Sequence, residues 1–366
     1  MDFNRSAKLE ASIPTALKLL ACLLSDASPN NDYLSKQLFQ LKIDLTKHPY
    51  GINLEFAPYI HLLIQENGLS NLVPEQLAIL LKSHSQRAAM KALSRKHTLK
   101  VLEDLLARSG IEAVLLKGAA MDRYIYPEQA FRLGVDIDFL VREEDYIRID
   151  SVLMGFADRQ EKFPGKPAFA SFAIEKPFVI KHPAILHLDV HRMLTIPHVY
   201  NYTCGDLFER AIPHPEYNGL KILSPEDNLL HFAIHGFYDM RLFSKQTTDG
   251  YLIIKNHEID TNLLLKRARE YGMLYPLLYF IGGIDKTFRL TNPTIQSAIQ
   301  PLNGWRGSLA FKLLAASDTT SSDKKLSFRV QQLLAQTVLS GTQAGYLRYN
   351  INYMKARLTD QIKSYW

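Results

Sequence analysis

Apolar residues along the chain change their period twice. Up to about residue 109 they recur at three and four, as in Ile13, Leu17, Leu20 and Leu24 and again in Leu77, Leu80 and Leu81, which is the spacing of one helical face. Pro74 precedes Glu75 and Gln76, where a helix can begin, and a pattern rich in Ala, Leu, Lys and Arg then runs from Glu75 to about Arg108 before Gly110. A glycine just past the last periodic residue is the usual helix stop, because it adopts positive φ without a Cβ clash. The period then shortens. Ile111-Glu112-Ala113-Val114-Leu115-Leu116 predicts a buried strand that turns into a helix at Lys117-Gly118-Ala119-Ala120. Val135 to Val141 predicts a second strand, with Asp136 and Asp138 on one face and Ile137 and Phe139 on the other. A charged helix from about Glu143 to Met154 stops at Gly155. Two extended segments follow, Phe172 to Lys181 and Ala184 to Arg192, with Pro183 as the turn between them. After Pro213 and Pro215 the helical period returns. Ser224-Pro225-Glu226-Asp227 reads as a helix start, and helical patterns continue to about Trp366, broken at Gly250, Pro293, Pro301 and the polar stretch Ser317 to Asp323.

This order predicts an α/β (α+β) fold. A small mixed sheet forms a core over residues 110–215, between an N-terminal helical region (1–109) and a C-terminal helical domain (216–366). The 47% hydrophobic and 22% charged residues exclude a disordered or collagen-like chain. Arg5 and Lys8 precede an apolar stretch from Ile13 to Leu24, but Lys18 interrupts it, so it reads as a first helix rather than a leader or a membrane span. Two cysteines, Cys22 and Cys204, exclude a disulfide scaffold or a Cys-rich zinc module and suit a reducing, cytoplasmic setting. The net charge of +6 comes from scattered rather than clustered Lys and Arg. It indicates no polyanion-binding tail and is compatible with a small anionic ligand such as a nucleotide.

Candidate chemistry concentrates in the middle of the chain. Two carboxylates one pleat apart, Asp136 and Asp138, raise each other's pKa unless a cation lies between them. Hard oxygen donors suit Mg²⁺; the plain alternative is a solvated acidic strand. In His187-Leu188-Asp189-Val190-His191 the polar side chains share one face. If this strand lies beside that of Asp136, Asp189 becomes a third carboxylate. Three such acids can hold two metal ions about 3.5–4 Å apart for in-line phosphoryl displacement, with Asp189 taking or orienting the acceptor proton. A glycine turn at Gly118, next to Lys117, lets backbone N–H groups approach a phosphate at a helix start. Arg132 offers a planar fork to the same phosphates. Other constellations compete. His231 and His235 share a helical face at zinc-site spacing, but Phe232 stands where a metalloprotease has Glu. His187, Asp189 and His191 could form a hydrolase metal site. Arg241 and Asp249 read as ion-pair residues or as part of an acceptor site. Tyr346, Tyr349, Tyr353 and Tyr365, interleaved with Arg348, Lys355, Arg357 and Lys363, read as a packing face before a base-stacking one.

Leu115-Leu116-Lys117-Gly118-Ala119-Ala120, Tyr126-Pro127, and Arg132 followed by Asp136-Ile137-Asp138-Phe139-Leu140-Val141 together resemble the uncharacterised nucleotidyltransferase family of the DNA polymerase β-like superfamily. Leu188-Asp189-Val190-His191 stands where that family carries its third acid, and Ser224-Pro225-Glu226-Asp227 with His231 and His235 is similar to the start of its C-terminal helical region. The resemblance implies transfer of a nucleoside monophosphate from an NTP to an acceptor, with two Mg²⁺ ions and release of pyrophosphate. By the same resemblance Asp136 and Asp138 are the metal-binding pair, Asp189 completes the catalytic metal site, and Gly118 is the phosphate-loop glycine. Ala119 departs from the superfamily's Gly-Ser or Gly-Gly loop and removes a hydroxyl that would face the phosphate, a loss for which Lys117 compensates as a phosphate ligand unless it points to solvent. That departure motivates an alternative, a nucleotide-binding protein of the same fold without turnover. The acceptor is expected to be a small molecule, peptide or protein before an RNA, with no membrane partner.

Overall fold

A computed structural model describes residues 13–25, 30–47, 52–127, 132, 134, 136–161, 173–181, 185–195, 199–238, 243–291, 295, 339 and 343–363. Four helices open the chain: α1 (Thr15–Leu23), α2 (Asn31–Lys47), α3 (Ala57–Glu66) and α4 (Glu75–Arg108). Helix α4, with 34 residues, buries Leu77, Leu81, Leu99, Leu102 and Leu106 along one stripe. It stops where the glycine predicts. Gly110 takes φ of 64°, its N–H donates to Ala107 O, and Ile111 N–H donates to Leu106 O, so the last carbonyls are satisfied and the chain passes directly into the sheet.

The sheet has seven strands: β1 (Ala113–Leu116), β2 (Asp136–Leu140), β3 (Asp158–Arg159), β4 (Glu175–Ile180), β5 (Leu186–His191), β6 (Ile212–Pro213) and β7 (Leu220–Ile222). They lie in the order β3-β4-β5-β2-β1-β7-β6. The central strand β2 runs parallel to β5 and antiparallel to β1, and β7 runs parallel to β1 on its far side. Between the strands come the one-turn α5 (Lys117–Met121), α6 (Glu143–Leu153) and α7 (Cys204–Arg210). After the sheet come α8 (Pro225–Tyr238), α9 (Lys245–Asn256), α10 (Thr261–Glu270), α11 (Leu274–Phe288) and α12 (Gln343–Lys363). Ser224 caps α8 as its sequence predicts, with Oγ accepting from Asp227 N–H at 3.2 Å.

The mixed fold with helical regions on both sides follows the pattern, but the sheet is wider than the pattern announces. Strands β3, β6 and β7 are two or three residues long, too short for alternation to register. Strand β7 falls inside 216–366, which was expected to be helical from its start. Arg241, Pro183, Tyr365 and the stretch 317–323 lie outside the described residues. On α12, Tyr349 packs beside Val199, and its ring lies 5.9 Å from that of Tyr353, which supports the packing reading for these two tyrosines.

One apolar cluster runs through all three segments and includes Leu17 of α1, Leu102 of α4, Leu188 of β5, Phe232 of α8 and Ile281 of α11. Helix α11 packs on α1, and Lys255 Nζ at the end of α9 donates to Leu24 O at 2.8 Å. N- and C-terminal helices therefore close on each other as well as on the sheet. No helix among the described residues is long and apolar enough to cross a membrane.

Candidate active site

Register decides which acids meet. Along β2 and β5, Asp136 pairs with His187, Asp138 with Asp189, and Leu140 with His191. Neighbours in a parallel pair point to the same side, so Asp136, Asp138 and Asp189 share one sheet face. Strand β4 brings Glu175 opposite His191 and Pro177 opposite Asp189 on that face. The other face carries Ile137, Phe139, Leu188, Val190 and Phe178, all buried. A slip of one residue would exchange the two sets, so the apolar pattern itself holds the acids together.

The cation nearest to these acids comes from the β1–α5 turn. Lys117 has φ of 48°, a left-handed conformation costing a non-glycine residue about 1–2 kcal/mol. It carries its side chain back to the sheet, and Nζ lies 2.7 Å from Asp138 Oδ1. His191 Nε2 lies 3.1 Å from the same oxygen, and facing a carboxylate it is the donor. The other ring nitrogen, Nδ1, is 3.5 Å from Glu175 Oε2. Burial pushes the Asp138 carboxyl upward, but the His191 hydrogen bond and the Lys117 charge outweigh it and hold the group well below the usual carboxylate range. Asp189 behaves in the opposite way. Burial, then the neighbouring charges of Asp138 and Glu175, push it up to about 6. Burial works against the Lys117 ammonium, yet Asp138, with Glu175 and Asp189 further off, keeps its pKa above the ordinary value. His231 of α8 is buried nearby, and burial followed by the Lys117 charge holds its pKa well below normal, so it is neutral.

Beyond Lys117 the turn is packed by arginines. Arg132 is buried and donates from Nε to both oxygens of Asp249 (3.0 and 2.9 Å), while Nη2 lies 2.8 Å from Oδ2. Tyr126 Oη donates to Asp249 Oδ1 at 2.8 Å. The Nε/Nη2 edge of the fork is therefore occupied by Asp249, and Nη1 lies over Gly118. A Cβ on Gly118 would collide with that Nη1, so the turn needs glycine for close approach, while the positive φ belongs to Lys117. Arg95 of α4 fixes the other end of the connection. Its Nε donates to Asp122 Oδ2 at 2.9 Å and its Nη1 to Gly134 O at 2.8 Å.

Among the described residues, no three His, Cys, Asp or Glu side chains are gathered so as to hold a metal ion. The donor set on the sheet face nevertheless suits a hard divalent cation. Its carboxylates are hard oxygen donors on neighbouring positions, Asp138 paired with Asp189 and one pleat from Asp136. The two histidine alternatives fare differently. His231 and His235 stand edge to face at 6.3 Å, and His235 Nδ1 is 3.2 Å from Gln246 Nε2. His191 is committed to Asp138, while His187 is exposed.

Glu175, Arg95, Asp122 and Lys245 escaped the sequence. Each lies outside the motif, and each joins the site only through tertiary contacts. Lys245 begins α9, 3.7 Å from Glu55 Oε1, and also feels the charges of Asp249 and Asp136. Asp249 is the ion-pair residue of one reading, and its partner is Arg132.

A family model described as an uncharacterised nucleotidyltransferase matches residues 53–289. This span is more than half of the chain and contains all seven strands and every residue of the site described above. No curated protein and no solved structure matches the chain.

Proposed function

The chain belongs to the uncharacterised nucleotidyltransferase family, and from that premise we propose that it transfers a nucleoside monophosphate from an NTP to an acceptor hydroxyl, with pyrophosphate leaving. The observation that carries this reading is the pairing of Asp138 with Asp189 on adjacent parallel strands, one pleat from Asp136. Those three carboxylates would hold two Mg²⁺ ions. Bound Mg²⁺ neutralises triphosphate charge and polarises the phosphorus under attack.

The chain's own groups do the rest. Asp189, paired beside Asp138, is placed to accept or orient the proton of the attacking hydroxyl. Backbone N–H groups of the Lys117–Gly118 turn and Nη1 of Arg132, which lies over Gly118, would receive the phosphates, with Asp249 fixing the guanidinium plane. A small molecule, peptide or protein in a cytoplasmic setting is the acceptor in this reading. A second reading, nucleotide binding without turnover, is favoured by Ala119, which is buried and offers the phosphates no hydroxyl.

Incubation with α-labelled NTPs, Mg²⁺ and a lysate of the source cell, comparing wild type with Asp138→Asn, tests the proposal. Loss of a metal carboxylate is expected to lower label transfer by about three decades or more, roughly 4 kcal/mol of barrier. Near-wild-type transfer by the variant would refute the assignment. Thermal shifts with NTP and Mg²⁺ but no pyrophosphate release across acceptors would favour the second reading.

A further inference from the structure

The residue preceding Gly118 sits on a backbone that favours glycine, yet it is lysine. Residues with φ near +50° are mostly Gly, Asn or Asp, and a long side chain held there points to a use for that side chain. Its Nζ sits 2.7 Å from Asp138 Oδ1, with Asp189 paired beside Asp138 and Glu175 two strands over, so a positive charge already occupies the acid-rich face. Both that ammonium and the His191 imidazole bond the same oxygen, Oδ1. The lysine side chain is a flexible four-carbon stem ending in a point charge, able to change partners without moving the sheet. Gly118, the glycine of the turn, follows it directly in the chain.

We propose that Lys117 is a tethered cation that neutralises Asp138 while the site is free of nucleotide. It yields Asp138 to a divalent cation and moves onto the triphosphate when the metal–nucleotide complex arrives. The inference rests on the nucleotidyl-transfer reading of this site. It adds a charge exchange that keeps the acid cluster from standing bare, and it couples metal entry to phosphate capture. A fixed counter-ion would instead stay on Asp138 in every state.

Amine labelling of the wild-type full chain by reductive methylation, read by mass spectrometry at Lys117, separates the two. Lys117 should be protected without metal, several-fold more reactive with Mn²⁺ alone, and protected again with Mn²⁺ and a non-hydrolysable NTP analogue. In parallel, free Mn²⁺ measured by electron paramagnetic resonance should show Lys117→Met binding the ion about tenfold more tightly than wild type, the scale of removing one adjacent like charge. The same variant should bind the NTP analogue more weakly, and Lys117→Arg should restore part of that binding. If Mn²⁺ binds but Lys117 reactivity does not change, the exchange is overturned and the nucleotidyl-transfer reading survives. If Mn²⁺ binds neither protein, with or without the analogue, both fall together.

Discussion

The Gly118 turn separates two charged regions built on opposite plans. On one side Arg95 meets Asp122, and Arg132 meets Asp249 and through it Tyr126, all of them buried and joined by direct hydrogen bonds. On the other, Asp136, Asp138, Asp189 and Glu175 face Lys117 and His191, with Asp136 exposed and Asp189 half-buried. Matched charges that are dry and hydrogen-bonded to each other fix geometry, because breaking one partner leaves the other stranded. A carboxyl that burial and neighbouring acids push up to about 6, as in Asp189, does the reverse. It costs stability while the site is empty and gains it back when a cation enters. We therefore assign the arginine side to holding the turn and propose the acid side as the one that takes a ligand.

The strongest way to break that assignment is Asp249→Ala. It removes the acceptor of Arg132 and Tyr126 and leaves a guanidinium buried without a counter-charge, which should cost about 3–5 kcal/mol in denaturant unfolding. A cost below about 1 kcal/mol would mean that the arginine side is loosely held after all, against the usual penalty for an orphaned buried charge. Gly118→Ala comes next. Its Cβ presses on Arg132 Nη1, and overpacking of this kind costs about 1–3 kcal/mol. The same substitution made in the Asp249→Ala background should cost clearly less, because Arg132 can then move aside. Additive costs would show that Gly118 and Arg132 are not coupled.

The sequence made the acid side easier to read than the arginine side, and the reason is locality. Asp136 and Asp138 declare a shared face within one strand, and His187, Asp189 and His191 do so within another, so only the pairing of β2 with β5 had to be supplied. Asp138 with Lys117 spans 21 positions, whereas Arg132 with Asp249 spans 117 and no periodicity links them. Arg132 accordingly reads as a phosphate fork in sequence and turns out to be half committed to Asp249. Lys117 reads as a phosphate ligand or a solvated lysine, and its left-handed φ, invisible in composition, is what sends it to Asp138. The long helix α4 and its glycine stop were legible because both signals are local, while the short strands β6 and β7 carried too few residues to show a pattern, and Glu175, inside a predicted extended segment, joins the acids only through the pairing of β4 with β5.

The smallest effect sharpens the comparison most, because its sign is unusual. Asp189→Asn removes a carboxylate that burial and the charges of Asp138 and Glu175 hold at a pKa of about 6, above its unfolded value near 3.8. Between those two values the folded protein binds more protons than the unfolded chain, so wild-type stability falls as pH rises from about 4 to about 6 and stays reduced above that. The neutral asparagine escapes this loss. In metal-free buffer with a chelator the variant should therefore be the more stable protein at pH 8, by about 1 kcal/mol once solvent screening of a half-buried group is allowed for. That advantage should vanish by pH 4, and at pH 8 saturating Mg²⁺ should reverse it, because the wild type, with its third carboxylate, would gain more from the ion. An asparagine variant less stable than wild type at pH 8 without metal would mean that Asp189 is already neutralised in the empty protein, and the contrast between the two sides of Gly118 would be lost.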